Sequence, residues 1–225
     1  MKIKLFLVLT IFYFPRDLSL NISPNTNPNY EEILLFCSNT NPYIASSEYG
    51  NEDIRGFGPY GPHNLFDKNP STCWTEGSNN KGINEYVFCG LPENSQKLHF
   101  RNGNCKSQSE FRKSNRCREI SVQIYIAAHI LGNEIEAFCV YEGIKYETKI
   151  FAVKDTKDIQ IFDLNIDWSK LIQNKNSLLS NYIKLYELID PSEAMALFLV
   201  KIQITDIYSD TGTIGTSISD IWFSK

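Results

Sequence analysis

An all-β sandwich with one short helical insertion is the fold class that the sequence predicts, and three observations predict it. Several short segments alternate apolar and polar residues with the period of two that a half-buried strand requires. Turn-forming residues separate these segments at the close intervals typical of antiparallel sheets. Only one stretch repeats its apolar residues at helical spacing, so the alternating strand–helix succession of a parallel α/β sheet does not apply. A chain of 225 residues, 42% of them hydrophobic and 21% charged, suffices for one substantial core.

At the N-terminus, Lys2 and Lys4 precede the apolar run Leu5 to Phe14, which Pro15, Arg16 and Asp17 close. That run is about half of the roughly 20 residues that a membrane-crossing helix needs. It reads as a secretory signal peptide over residues 1–20 rather than a transmembrane anchor, with a buried strand as the alternative. Residues 21–30 are rich in Asn and Pro and poor in apolar groups, which suits a flexible leader. The folded domain is expected over residues 31–225, in an extracytoplasmic setting: secreted, periplasmic or on the cell surface.

Within that domain the clearest strand is Ile120 to Ile126, where Ile120, Val122, Ile124 and Ile126 face one way and Ser121, Gln123 and Tyr125 the other. Val200 to Ile204 repeats the pattern, and Ile135 to Tyr141, Tyr146 to Val153 and Ile159 to Leu164 are shorter candidates. The helical stretch lies between Asn176 and Ile189, where Leu178, Leu179, Tyr182, Ile183 and Tyr186 recur at intervals of three and four. Ser177 is its expected cap, Pro191 follows it, and the whole insertion is placed at about residues 166–192.

Six cysteines, Cys37, Cys73, Cys89, Cys105, Cys117 and Cys139, support export, because an even set in an exported chain is normally paired. Six cysteines pair in fifteen ways. Cys105 and Cys117 bracket a short loop, and a bridge between them, contributing roughly 3 kcal/mol in the chain-entropy account, is the pairing singled out. Cys37 is also expected to be paired. No C-x-x-C pair exists and the histidines are only His63, His99 and His129, so no zinc-ligand spacing is recognisable. A net charge of −4 leaves no basic stripe to neutralise phosphates, which argues against nucleic acid as a partner.

The chemistry-bearing block runs from Ala45 to Tyr86: Ala45-Ser46-Ser47, Asn64-x-x-Asp67-x-Asn69-Pro70-x-x-Cys73-Trp74-x-Glu76-Gly77 and Gly82-x-x-Glu85-Tyr86. Asn64, Asp67 and Asn69 concentrate oxygen atoms in a tight loop, which suits either a structural calcium ion or an Asx-turn in which Asp67 and Asn69 bond the local backbone. Trp74 offers an indole face for stacking on a sugar and an N–H to donate. Glu76, Asn102, Lys106, Arg116 and Tyr208 complete the candidate ligand-binding set, and the Arg116 fork suits a carboxylate. No G-x-S-x-G, H-E-x-x-H or phosphate-binding loop occurs, although Cys105 with His63 or His99 leaves a nucleophilic pairing open.

These motifs in order, followed by Asn102-Gly103-x-Cys105-Lys106-Ser107, Asn115-Arg116 and Ile218-Ser219-Asp220-Ile221, resemble the discoidin-like domain called the NADase-type glycan-binding, or NAD glycohydrolase translocation, domain. The resemblance covers about residues 45–223. It implies a galactose-binding-like jelly roll without catalytic activity. It also implies a carbohydrate or cell-surface glycoconjugate as partner, met by the loops at residues 64–77, 102–117 and 208–220, with a protein partner as the alternative. It assigns Asp220 as the carboxylate of the calcium set Asn64, Asp67 and Asn69, at a position where the family usually carries Glu. In such domains a tryptophan at the position of Trp74 often plugs the barrel beneath the loops.

Overall fold

The computed structural model describes residues 30–37, 42–50, 57–132, 134–135, 137–208 and 214–225. The expected signal peptide, residues 21–29 of the leader and residues 209–213 lie outside the described residues. The period-two segments lie in strands, except that Ile135 to Tyr141 is divided, with Ile135 ending one strand and Phe138 beginning the next. In chain order the strands are β1 (Glu31–Phe36), β2 (Tyr43–Ala45), β3 (Trp74–Thr75), β4 (Tyr86–Gly90), β5 (Lys97–Asn102), β6 (Ser114–Ile130), β7 (Glu134–Ile135), β8 (Phe138–Ala152), β9 (Ile159–Asp163), β10 (Ala194–Tyr208) and β11 (Ile214–Ser224). Two helices, α1 (Gln108–Lys113) and α2 (Trp168–Leu185), interrupt them.

The larger sheet is antiparallel, and its pairings close on themselves. β8 pairs β1 from Phe138 to Gly143 and β6 from Glu142 onward, while β1–β2, β2–β4, β4–β10 and β10–β6 complete the circuit. Gly143 sits where β8 meets both neighbours: a Cβ there would stand 2.7 Å from Ile33 Cδ1, so a larger residue would require the Ile33 side chain to shift. The second sheet runs β9–β5–β11, with β3 paired to the start of β11. A short parallel contact, Ile214 with Ser114 and Thr216 with Asn115, joins β11 to β6 and brings the two sheets together beside the candidate loops.

The strand Ile120 to Ile126 is buried on both faces, where the sequence pattern suggests one apolar and one polar face. Ile120, Val122 and Ile124 are fully buried, and so is Tyr125 on the opposite side, at 2% exposure. That second face has its own core of Ile33, Leu35, Phe88, Tyr125, Ala127, Tyr141 and Leu199, because the closed circuit of strands folds around it. Tyr125 tolerates this because its hydroxyl finds Gln123 Oε1 at 3.2 Å.

Two expectations are corrected. Helix α2 begins at Trp168, not near Ser177: Asp167 caps it by accepting from Lys170 N at 3.1 Å, and Ser177 is interior, its hydroxyl donating to Gln173 O. The polar run Gln173 to Asn176 hides the first turns from a periodicity count, but Trp168 and Leu171 are buried, with Trp168 edge-on to Phe198. Cys105 and Cys117 are free thiols, as are Cys73 and Cys89. The bridge joins Cys37 to Cys139, tying the end of β1 to β8 across 102 residues of sequence, a closure worth roughly 4.7 kcal/mol in the chain-entropy account.

Candidate functional site

The loops of the conserved-looking block converge on the start of β11, and most of the polar residues singled out from the sequence turn inward there. Glu76 is fully buried. Its Oε1 accepts from Thr216 N at 3.0 Å, and its Oε2 accepts from Ser78 N and Ser78 Oγ at 2.7 Å each. A Cβ on Gly215 would meet Glu76 Oε1 at 2.4 Å, and one on Gly77 would meet Glu48 O at 2.3 Å, so both glycines make room for this packing. Asn102 is also fully buried: its Oδ1 accepts from Cys117 N at 2.9 Å while its Nδ2 donates to Cys117 O at 2.8 Å and to Lys154 O at 3.3 Å. One amide thus replaces a ladder rung between β5 and β6.

Arg116 is 2% exposed. Its fork is taken by Asp155, Nε to Oδ1 at 2.8 Å and Nη2 to Oδ2 at 3.1 Å, while Nη1 donates to Ser114 O at 2.8 Å. The guanidinium also stands 5.1 Å from the Phe111 ring centre. Trp74 is fully buried and donates its indole N–H to Ser47 O at 2.8 Å. Tyr208 donates to Val153 O at 3.1 Å. Lys106 alone among the candidate ligand contacts is an exposed side chain, just before α1, which Ser107 caps by accepting from Glu110 N at 3.0 Å.

The four residues expected to hold calcium do not fit the ion in this arrangement. Asp67 Oδ1 accepts from Asn69 N at 2.8 Å, Asp67 Oδ2 from Thr72 Oγ1 at 2.7 Å, and Asn69 Oδ1 from Ser71 N at 3.0 Å, which is a pair of successive Asx-type turns. Asn64 is buried and donates its amide to Pro59 O and Cys73 O, both at 3.0 Å. Asp220, 1% exposed, already has a cation: Arg101 Nη1 stands 2.9 Å from its Oδ2. Burial pushes the Asp220 carboxyl up, and the Arg101 charge pulls it back. A calcium ion bound through Asp220 Oδ2 would have to displace that guanidinium, while the buried Oδ1 has no hydrogen-bond partner.

Cys105 has no histidine among its hydrogen-bond partners: its sulfur donates to Asn102 O at 3.2 Å, and burial pushes its thiol up, away from a thiolate. His99 stacks on Trp222, with ring centres 4.8 Å apart, and its Nε2 lies 2.9 Å from Ser224 Oγ.

Beside exposed polar residues such as Asp67, Asn69, Lys81 and Lys106, aromatic rings that the sequence pattern does not single out also reach solvent. Tyr49 is 40% exposed and Phe57 53%. Tyr49 N donates to Thr75 O at 2.8 Å, and Thr75 N donates to Tyr60 O at 3.0 Å, so the two tyrosines flank β3 on fixed backbone, their rings edge to face at 5.7 Å. Phe57 stands edge-on to Phe36 at 5.2 Å. The signal available in the sequence was the density of aromatic residues in Tyr49 to Tyr60, outside any strand pattern.

The two sheets, the buried tryptophan under the loops and the ordered motifs around β11 define a discoidin-like sandwich. The chain belongs to the NAD glycohydrolase translocation F5/8 type C domain family, whose model matches residues 36–224. Solved structures with a similar fold include the F5/8 type C domain of a Bacteroides fragilis protein, at 11% identity and a TM-score of 0.43, covering 88% of this chain and 97% of that one. Another is the family 32 CBM from C. perfringens NanJ in complex with galactose, at 11% identity and a TM-score of 0.40, covering 85% and 98%. A third is the CBM32-1 and CBM32-2 domains from Clostridium perfringens ZmpB in complex with GalNAc, at 10% identity and a TM-score of 0.39, covering 80% and 32%. No curated protein matches the chain in sequence.

Proposed function

We propose that this protein is an exported, non-catalytic binding module that recognises carbohydrate on a cell surface, through the aromatic rim of its loop end. The observation that carries the proposal is the Tyr49–Tyr60 pair, solvent-facing on one side and fixed through the backbone of Thr75 on the other. Aromatic faces held rigidly take up the apolar side of a sugar ring with little loss of side-chain freedom. Family membership supports a binding module. The Cys37–Cys139 bridge supports export, since such bonds persist in oxidising compartments. Among the described residues no helix is long and apolar enough to cross a membrane.

The test is a glycan array with the purified domain. Selective binding that Tyr49→Ala and Tyr60→Ala abolish, with folding intact, supports the proposal; binding indifferent to both overturns the assignment of the rim. Turnover of NAD by the purified domain would overturn the non-catalytic reading. A protein-interaction module is the second reading, and one observation favours it. A groove of about 680 Å³, lined by Phe66, Leu91, Phe198, Trp222 and Phe223, lies apart from the tyrosine pair. Silence on the array with capture of a protein that Trp222→Ala releases would select that reading.

A further inference from the structure

At the mouth of the β6–β8 hairpin three strands bring together side chains that the binding surface does not use. His129 near the end of β6, Glu134 in β7 and Cys139 near the start of β8 place a ring nitrogen, a carboxylate oxygen and a sulfur within 4.8 Å of one another. His129 Nε2 lies 3.9 Å from Glu134 Oε1. The Cys139 sulfur is bonded to that of Cys37, immediately after β1. His129 is 2% exposed and its Nδ1 has no hydrogen-bond partner, whereas Glu134 reaches solvent. No other group of three such donors occurs among the described residues.

A disulfide sulfur is a poor ligand, so the oxidised cluster offers a metal only an imidazole and a carboxylate. With the bridge open, Cys139 adds a thiolate to the imidazole and carboxylate within 4.8 Å of it, and Cys37, its partner across the bridge, supplies a second thiolate that must close on the three. That is a complete tetrahedral set of the types zinc prefers, with bond lengths of roughly 2.0 to 2.3 Å that put ligand atoms within 4 Å of one another. We propose that reduction of the Cys37–Cys139 bridge by a dithiol converts this cluster into a zinc site made of Cys37, Cys139, His129 and Glu134.

The exchange balances. The dithiol gives two electrons and two protons and becomes a disulfide, and the Cys37–Cys139 bond breaks into two thiols. Zinc then binds the two sulfurs as thiolates and releases their two protons. Disulfide and zinc are mutually exclusive because they use the same sulfurs. The metal holds β1, β7 and β8 together while the chain is reduced, and exchange with an oxidised dithiol, which takes up the two electrons and becomes a dithiol, reforms the Cys37–Cys139 bond and releases the zinc. Three of the ligands, at positions 129, 134 and 139, follow at intervals of five, which matches no familiar zinc-ligand spacing, and the fourth, Cys37, lies far before them.

The experiment uses the full chain in two forms, air-oxidised and reduced with dithiothreitol that is then removed by desalting under argon. Each is titrated with zinc chloride against a chromophoric zinc indicator, and with cobalt chloride for the visible absorption of a tetrahedral thiolate site. One zinc per reduced chain and none per oxidised chain is the expected result. His129→Ala and Glu134→Gln each weaken that binding by roughly tenfold or more, and Cys105→Ala leaves it unchanged. Equal binding by the two redox forms, or binding that survives Cys139→Ser undiminished, overturns the proposal. So does a reduced chain whose folded circular-dichroism spectrum is lost and not restored by zinc.

Discussion

The polar residues inside the loop end and the aromatic residues beside it differ in what they leave to solvent. Inside, Glu76, Asn102, Arg116 and Asp220 are polar or charged, buried, and held by protein groups. On the rim, Tyr49, Tyr60 and Phe57 are aromatic, and Tyr49 and Phe57 lie open to water. A buried polar group that has its partners is rigid and specific, and one that loses a partner is costly. The motif residues therefore act as the frame, and the proposed recognition falls to what the frame leaves exposed. Residue type alone would have reversed these roles.

The comparison breaks first if the interior can be altered cheaply. Arg101→Met leaves the Asp220 carboxylate buried without its cation, and should cost about 3 kcal/mol at pH 7 in urea melts. Its pH dependence has a definite sign. Burial already raises the Asp220 carboxyl, and removing Arg101 raises it further. A carboxyl raised in the folded state costs stability above its folded value, a cost that vanishes as pH falls toward the unfolded value of about 3.9. The deficit of the variant should therefore shrink between pH 7 and pH 4; a deficit that stays constant would show that the charge is not its cause.

Asn102→Ala comes next. It leaves the N–H and the carbonyl of Cys117 buried without the amide that satisfies both, for an expected loss of about 2 to 3 kcal/mol. Lost glycan binding at unchanged stability would instead move the contact surface inward. The rim variant Tyr49→Ala/Tyr60→Ala sharpens the same contrast from the other side. Stability should change by no more than about 1 kcal/mol, because Tyr49 is largely exposed and both backbones keep their Thr75 bonds, while glycan affinity falls by roughly tenfold or more.

Much of the fold was legible because strand burial writes itself as a period of two: Ile120 to Ile126 and Val200 to Ile204 lie in β6 and β10. The first turns of α2 were not, since Gln173 to Asn176 carry no apolar signal. The short helix α1 lies outside the expected helical insertion, although Ser107 caps it by accepting from Glu110 N. Disulfide pairing was illegible for a different reason. Cys105 and Cys117 are close in sequence, but Cys117 is sealed between β5 and the core, whereas Cys37 and Cys139 meet only because β1 pairs the start of β8. The candidate site was legible as a location and not as a set of contacts, because the sequence shows which residues can hydrogen-bond but not which have already found a partner.

The smallest expected effect tests whether the frame is self-sufficient. Each oxygen that a calcium ion would use at Asp67 and Asn69 already accepts a local hydrogen bond, and Asp220 already faces a guanidinium. An ion that must displace Arg101 gains one attraction by giving up another of the same sign and similar distance, and adds the cost of stripping its own water. Neither millimolar calcium nor a chelator should move the melting temperature of the wild-type domain. In Arg101→Met the competitor on Oδ2 is gone, and both oxygens of the buried Asp220 are left without the guanidinium, Oδ1 having no hydrogen-bond partner to begin with. A calcium-dependent rise in melting temperature confined to that variant would show that Arg101 occupies the cation's place. A rise of equal size in the wild type would show that the loop takes calcium with the guanidinium still in position.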